Sequence, residues 1–267
     1  MRMYSPRRLL KSARILLAGS AAERRRLRQE FARISAGLFG DFYIGDDHKM
    51  WRNDKVFIAK FKALSPHNYY SMERKWTLRE FVRWTARLTG DIAECGCYVG
   101  VSAWFMASEM PPGESIFLFD SFEGLSVPSE EDRARFSDVQ EWQKGDLCAT
   151  EEELRKNLAG FGNIHVMKGW IPERFAEVSE RRFRLVHIDV DLYEPTLASL
   201  EFFYSRLADS GVIVMDDYGY ETCPGAYRAA NEFAEKAGEY ILHLSTGQGI
   251  IIKGRGRVLP HSYGGPD

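Results

Sequence analysis

From Thr77 onward the chain alternates helical segments with short apolar runs, and each run ends in a charged or glycine-rich turn. This rhythm constrains the fold more than any other feature, because apolar runs spaced by helices are the pattern of a parallel sheet covered on both faces. Strands are expected at 91–94, 115–120, 163–168, 184–189, 211–215, 240–244 and 249–253. Helices are expected at 77–88, 101–109, 151–159, 195–208 and 224–237. Pro195 and Pro224 each suit the first helical position, where a missing N–H costs nothing. Only Ser245, Thr246, Gly247 and Gln248 separate the last two strands, which predicts a hairpin finishing an otherwise parallel sheet. The expected class is α/β, with a mostly parallel seven-stranded sheet ending in an antiparallel hairpin and a helical extension before it.

Length and composition fit that class. A chain of 267 residues with 45% hydrophobic and 28% charged residues can bury a sizeable core. No run approaches the roughly 18 apolar residues of a membrane span. Four cysteines do not make a disulfide framework, and Cys95, Cys97, Cys148 and Cys223 lack the paired spacing of a zinc site, so small buried thiols in a reducing cytoplasm are the simpler reading. Residues 1–65 read as a basic helical extension: Leu9, Leu10, Ala13, Leu16 and Leu17 share a helical face, and Ser20 with Glu23 forms a capping box opening a second helix with Leu27, Phe31, Ile34 and Leu38. Residues 1–38 carry ten Lys or Arg against Glu23 and Glu30. That arm is +8, and the remainder of this −2 chain is −10. Lys11 and Arg14 interrupt any signal-peptide core. Residues 66–253 form the main domain, 254–267 a tail, and the long acidic stretch 122–150 a lid or insertion over a site.

Three places carry chemistry. The first strand runs into Glu94-Cys95-Gly96-Cys97-Tyr98-Val99-Gly100, where glycines allow close approach of a ligand to the backbone. A dinucleotide fingerprint would need glycine at Tyr98, so pyrophosphate is disfavoured, and an acid before the glycines suits a cationic ligand such as S-adenosylmethionine. An ordinary strand-to-helix turn is the alternative. Asp120 closes the second strand, the place of a ribose-binding acid in nucleotide-binding α/β folds, although a solvated loop aspartate also fits. Asp189 and Asp191 close the fourth strand and Asp216 with Asp217 the fifth. In adjacent parallel strands these ends open on one edge, and four converging carboxylates repel unless a cation neutralises them, which points to a hard divalent ion such as Mg²⁺. Unrelated helix-capping aspartates are the plainer explanation.

These residues, with Met72, Phe119-Asp120-Ser121-Phe122-Glu123-Gly124-Leu125, Lys168-Gly169-Trp170, Asp189-Val190-Asp191-Leu192-Tyr193-Glu194-Pro195-Thr196, Asp216-Asp217-Tyr218-Gly219 and Cys223-Pro224-Gly225-Ala226, stand in the order found in the macrocin-type sugar O-methyltransferases. Residues 65–253 resemble that family of class I, S-adenosylmethionine-dependent enzymes. The resemblance implies a Rossmann-like class I methyltransferase fold, Asp189, Asp216 and Asp217 as Mg²⁺ ligands and Asp191 as general base. It also implies Ser71, Met72, Glu94, Gly96, Ser102, Asp120, Ser121 and Gly169 around S-adenosylmethionine. The chain departs from the family in its basic N-terminal helices and in Cys95 and Cys97.

The implied reaction is methylation of a hydroxyl of a sugar in a natural product or glycan. A metal-dependent glycosyltransferase using the Asp-x-Asp run and a non-catalytic S-adenosylmethionine-binding module are the competing readings. Partners are expected to be a sugar-containing small-molecule or glycan acceptor and a second copy of the chain, without nucleic acid, because no aromatic platform accompanies the basic arm. The expected location is the cytoplasm. The arm either packs on protein or attaches peripherally to an anionic inner membrane face.

Overall fold

The computed structural model describes residues 6–20, 23–24, 27–28, 31, 50–65, 72–134 and 141–255, in two compact units, 1–71 and 72–267. The first holds helix α1 (Pro6–Ala18) and helix α2 (Lys55–Leu64). Asp54 caps α2 by accepting from the Phe57 N–H at 2.8 Å. The capping box after α1 is present: Glu23 N–H donates to Ser20 Oγ and Ser20 N–H to Glu23 Oε2. Leu16 and Leu17 of α1 are exposed. Ser71, Ile34 and Leu38, named above, lie outside the described residues, as does most of the tail.

The second unit runs α3 (Met72–Trp84), β1 (Asp91–Cys95), α4 (Val101–Ala107), β2 (Ile116–Asp120), α5 (Glu151–Asn157), β3 (Ile164–Lys168), β4 (Phe183–Ile188), α6 (Tyr193–Arg206), β5 (Leu207–Met215), α7 (Pro224–Ala237), β6 (Leu242–His243) and β7 (Gly249–Ile252). The strands form one sheet in the order β3-β2-β1-β4-β5-β7-β6. The first five are parallel, β7 runs antiparallel to β5, and β6 pairs antiparallel with β7. Strand order reverses between β1 and β4, so the crevice at their carboxyl ends is the switch point where ligands bind in open α/β sheets.

Alternation along each strand builds two cores. Ala93, Phe117, Val186 and Ile213 point to one face, under Leu200 and Phe203 of α6 and Ala230 and Phe233 of α7. Ile92, Leu118, Leu185 and Val212 point to the other, under Leu78 and Val82 of α3, Met106 of α4 and Leu154 of α5. On the first face Phe203 meets Phe119, Phe175 and Phe183 at ring separations of 5.7, 4.9 and 5.1 Å.

Several bounds shift: α3 begins at Met72 and β5 at Leu207, both earlier than expected. α6 begins at Tyr193, so Pro195 is its third residue, still inside the first turn where no N–H is required. β6 is only two residues long and exposed, because as the edge strand it has a single neighbour.

At the amino edge of the sheet Arg184 is wholly buried. Its Nε and Nη2 donate to Glu114 at 2.9 and 2.6 Å, and its Nη1 donates to the Val82 carbonyl at 2.8 Å. The guanidinium thus ties β4 to the end of α3 and to the loop before β2. Arg184→Ala strands the Glu114 charge and is expected to lower unfolding free energy by about 3–5 kcal/mol. Urea denaturation measures it, and a loss below about 1 kcal/mol would show that this network is not a support of the fold.

Candidate active site at the carboxyl edge of the sheet

The turn after β1 is held by close backbone approach. Gly96 has φ +78°, and a Cβ there would lie 1.8 Å from the Asp189 carbonyl oxygen. Glycine is therefore required for β1 to run beside the end of β4, quite apart from any ligand. Asp120 governs the same turn. Its Oδ2 accepts from the N–H groups of Cys97 and Tyr98 at 3.0 and 2.9 Å, and its Oδ1 from Phe122 at 2.8 Å. Gly169 N–H donates to the Asp120 carbonyl at 2.9 Å, placing the β3 turn alongside. Ser121 Oγ donates to the Gly124 carbonyl and accepts from Glu123, so the hydroxyl stabilises its own loop. Ser102 is buried in the first turn of α4, and Met72 is buried at the start of α3.

Glu94, expected beside a ligand, is fully buried. Its Oε1 meets His187 Nδ1 at 2.9 Å, while Oε2 has no hydrogen-bond partner among the described residues. His187 Nε2 lies 3.3 Å from Asp216 Oδ1. Burial alone would push the imidazole down, but the carboxylates of Asp216 and Glu94 outweigh it and raise its pKa to about 9. An imidazolium thus bridges the ends of β1 and β5.

The four aspartates divide into two sets. Asp189 and Asp216 gather with His187, and Asp191 and Asp217 gather with Cys223, the ligand atoms of each set lying within 4.8 Å of one another. The first set is compensated by α3. Arg74 Nη1 pairs with Asp216 Oδ2, and Lys75 Nζ lies 3.5 Å from Asp216 and 3.6 Å from Asp189. Gln248, buried in the turn just before β7, donates from Nε2 to Asp216 Oδ1 at 2.8 Å. Burial would raise the Asp216 carboxyl, yet Arg74, Lys75 and His187 hold it well below the usual range. Asp189 goes up, through burial and the neighbouring Asp216 charge.

Among the described residues the second set has no ion-pair partner, and Arg74 offsets its charge only as a lesser contribution. Asp191 takes φ +59°, its N–H donates to Asp217 Oδ2 at 3.0 Å, and Cys223 Sγ approaches its Oδ1 at 3.5 Å. Burial and Asp189 raise Asp191 to about 7. Burial and the charges of Asp191, Asp189 and Asp216 push Asp217 well up. Oxygen donors whose charge is uncompensated fit a hard divalent cation, whereas the oxygens of Asp216 are committed to protein donors. Asp189 and Asp216 thus fall in one group of candidate ligand atoms and Asp217 in the other.

Arg74, Lys75, His187 and Gln248 were not anticipated from the sequence as site residues. The adjacent cations in the turn after Met72 were the available signal. Nothing local indicates that they meet an acid some 140 residues away.

Residues 66–239 match the family described as macrocin-O-methyltransferase (TylF). The chain belongs to that family. A Streptomyces olivaceus protein described as 8-demethyl-8-(2,3-dimethoxy-alpha-L-rhamnosyl)-tetracenomycin-C 4'-O-methyltransferase is 27% identical over 146 residues, 51% of this chain and 56% of that protein. The chain spans little more than half the length of the curated relatives it matches. In fold it is similar to the O-methyltransferase NovP, with TM-score 0.59 and 18% identity over 74% of this chain and 98% of that one. A Bacillus cereus O-methyltransferase in complex with SAH has TM-score 0.51 and 16% identity over 84% of this chain and 99% of that one. These likenesses agree with the observed strand order and antiparallel end: the fold is that of Rossmann-like methyltransferases.

Because His187 binds its proton more tightly in the fold than its ordinary pKa of 6.5 allows, its stabilisation is complete below pH 6.5 and is lost as pH rises through about 9. His187→Gln is expected to flatten the decline of unfolding free energy across that window. Urea titrations at pH 6.5, 7.5 and 9 measure the slope, and parallel slopes in the two proteins would mean that His187 titrates alike folded and unfolded.

Proposed function

We propose that this chain is an S-adenosylmethionine-dependent O-methyltransferase acting on a hydroxyl of a sugar-bearing acceptor. The observation that carries the reading is the uncompensated pair Asp191 and Asp217 at the switch-point edge, with Asp191 raised to about 7, beside a turn organised by Asp120. A base that titrates near neutrality is matched to taking a proton from a hydroxyl. The family and the rhamnosyl acceptor in the name of the Streptomyces olivaceus relative support the sugar as acceptor class.

In this reading Met72, Ser102, Ser121, Gly169 and the turn at Gly96 frame the cofactor. Asp120, with three backbone donors on a carboxylate that accepts about four, keeps capacity for a ribose hydroxyl. Ser71 is proposed as a further contact to the cofactor. Glu94 acts at one remove, by fixing His187 and adding negative charge under the turn. When bound, S-adenosylmethionine supplies an electrophilic methyl on a sulfonium, and Mg²⁺ supplies Lewis acidity toward the acceptor oxygen. Asp189, Asp216 and Asp217 would hold the ion, with Arg74 and Lys75 competing for Asp216. Asp191 would take the proton of the acceptor hydroxyl as that oxygen accepts the methyl group, with S-adenosylhomocysteine as the leaving group. The remaining contribution of the chain is to orient two reactants in a crevice. The insertion 122–150 is proposed to cover it.

Mass spectrometry of a rhamnosylated polyketide glycoside incubated with S-adenosylmethionine tests the proposal. A gain of one methyl is expected, abolished by exhaustive chelation and lowered about 10²- to 10⁴-fold by Asp191→Asn with cofactor affinity retained. No cofactor binding by calorimetry would overturn the enzyme reading. Full activity after chelation would remove the ion.

The basic arm is proposed to contact an anionic bilayer at the inner membrane face. α1 holds Arg7, Arg8, Lys11 and Arg14 with no acid, and it leaves Leu16 and Leu17 exposed. Co-sedimentation with phosphatidylserine vesicles is expected to fall with salt and to vanish on deleting residues 1–38. Equal pelleting of the two proteins would make the arm a packing element.

A further inference from the structure

α6 starts two residues after Asp191, and its N-cap, Leu192, offers no side-chain acceptor to the first turn. The acceptor comes from a distant part of the chain. Asp132, in the short turn Glu130–Asp132 of the insertion after β2, takes the Tyr193 N–H on Oδ1 at 2.7 Å. Its Oδ2 accepts from the N–H and the hydroxyl of Ser129, both at 2.8 Å, so each oxygen has a defined task in a side chain only 8% exposed. Against it lies Gly225, the second residue of α7. A Cβ at Gly225 would come within 1.8 Å of Asp132 Oδ1 and 2.9 Å of the Tyr193 nitrogen.

One buried carboxylate therefore joins the insertion, the start of α6 and the start of α7. Those two helix starts carry the groups that meet at the site: Asp191 just before α6, and Cys223, with Sγ 3.5 Å from Asp191 Oδ1, just before α7. Asp191 holds a left-handed backbone, which for a residue with a Cβ persists only where its surroundings over-determine it. Asp217 fixes its N–H from the sheet side. Asp132 fixes the chain two residues later. A turn serving only the insertion would need Ser129 alone, and would need neither the Tyr193 N–H nor a bare Cα at position 225.

We propose that Asp132 is a positioning residue for Asp191, setting the left-handed turn from the far side of the crevice and clamping it against α7 through Gly225. The proposal rests on reading Asp191 as the proton acceptor, but its test does not depend on methyl transfer. Hydrogen exchange and per-cysteine labelling with N-ethylmaleimide are compared in the full chain and in Asp132→Ala, Asp132→Asn, Gly225→Ala and the Asp132→Ala/Gly225→Ala double variant. Asp132→Ala is expected to speed exchange at Tyr193 at least tenfold and labelling of Cys223 at least fivefold, while β1 amides and Cys95, buried in the sheet, stay as they were. Asp132→Asn keeps an oxygen acceptor and is expected to remain within about twofold of the parent. Gly225→Ala attacks the same junction from α7 and should reproduce Asp132→Ala, with the double variant no worse than either.

Exchange at Tyr193 unchanged in Asp132→Ala would overturn the proposal. So would Cys95 and Cys223 loosening together, or Asn failing to rescue. If the alanine variant does not fold, Gly225→Ala and Asp132→Asn carry the same comparison. Loss of the proton-acceptor role would appear separately, as an undiminished methyl-transfer rate in Asp191→Asn with this clamp intact.

Discussion

The site depends on how one buried charge is balanced. Asp216 ends β5 with no solvent exposure, and a carboxylate there is tolerable only with cations and donors at hand. Arg74 and Lys75 arrive from α3, His187 from β4 and Gln248 from the β6–β7 turn. Three separate parts of the chain are thereby fixed around one side chain. Asp216 is at once an ionic partner and the point that sets the spacing of the sheet's carboxyl edge.

That balance also separates two kinds of acid. Asp216 stays ionised because its compensation lies within the protein. Asp191 and Asp217 share a negative field with no ion-pair partner among the described residues, and both bind protons more readily than ordinary carboxyls. Groups of one residue type pushed in opposite directions by their surroundings are what acid–base chemistry requires. The compensated acid is held ionised by its neighbours, and the uncompensated pair is the one whose surroundings favour uptake of a proton.

Most of the fold was legible in the sequence because strand burial on both faces leaves uninterrupted apolar runs, and because acids and glycines cluster where those runs end. Residues 224–237 read correctly as a helix from Pro224 to the glycine after it. The N-terminal capping box was equally readable, being a contact between residues three apart. The partners of the acids were not readable. Like-charge repulsion among Asp189, Asp191, Asp216 and Asp217 argued for an added cation, and two of the cations proved to be Arg74 and Lys75, roughly 140 residues earlier. Asp132 lay unseen in an acidic stretch without periodicity, since its meaning comes from Tyr193 and Gly225, which no local pattern connects to it. Glu94 was read as facing a ligand, whereas its strand position directs it into the sheet against His187.

The turn after β1 shows why a glycine-bearing strand-to-helix connection need not receive a phosphate. In a pyrophosphate site the backbone N–H groups of such a turn point at the ligand's oxygens. Here the Cys97 and Tyr98 N–H groups are already taken, by an anion belonging to the chain, at 3.0 and 2.9 Å. A phosphate approaching this turn would meet the Asp120 carboxylate in its place, with Glu94 buried behind it, and would lose both the donors and the favourable field. A ligand bringing hydroxyls and positive charge meets an acceptor that is held still by three backbone bonds. The same aspartate that closes the turn thus turns its polarity around, from one that would cradle an anion to one that favours the ribose and sulfonium of the proposed cofactor.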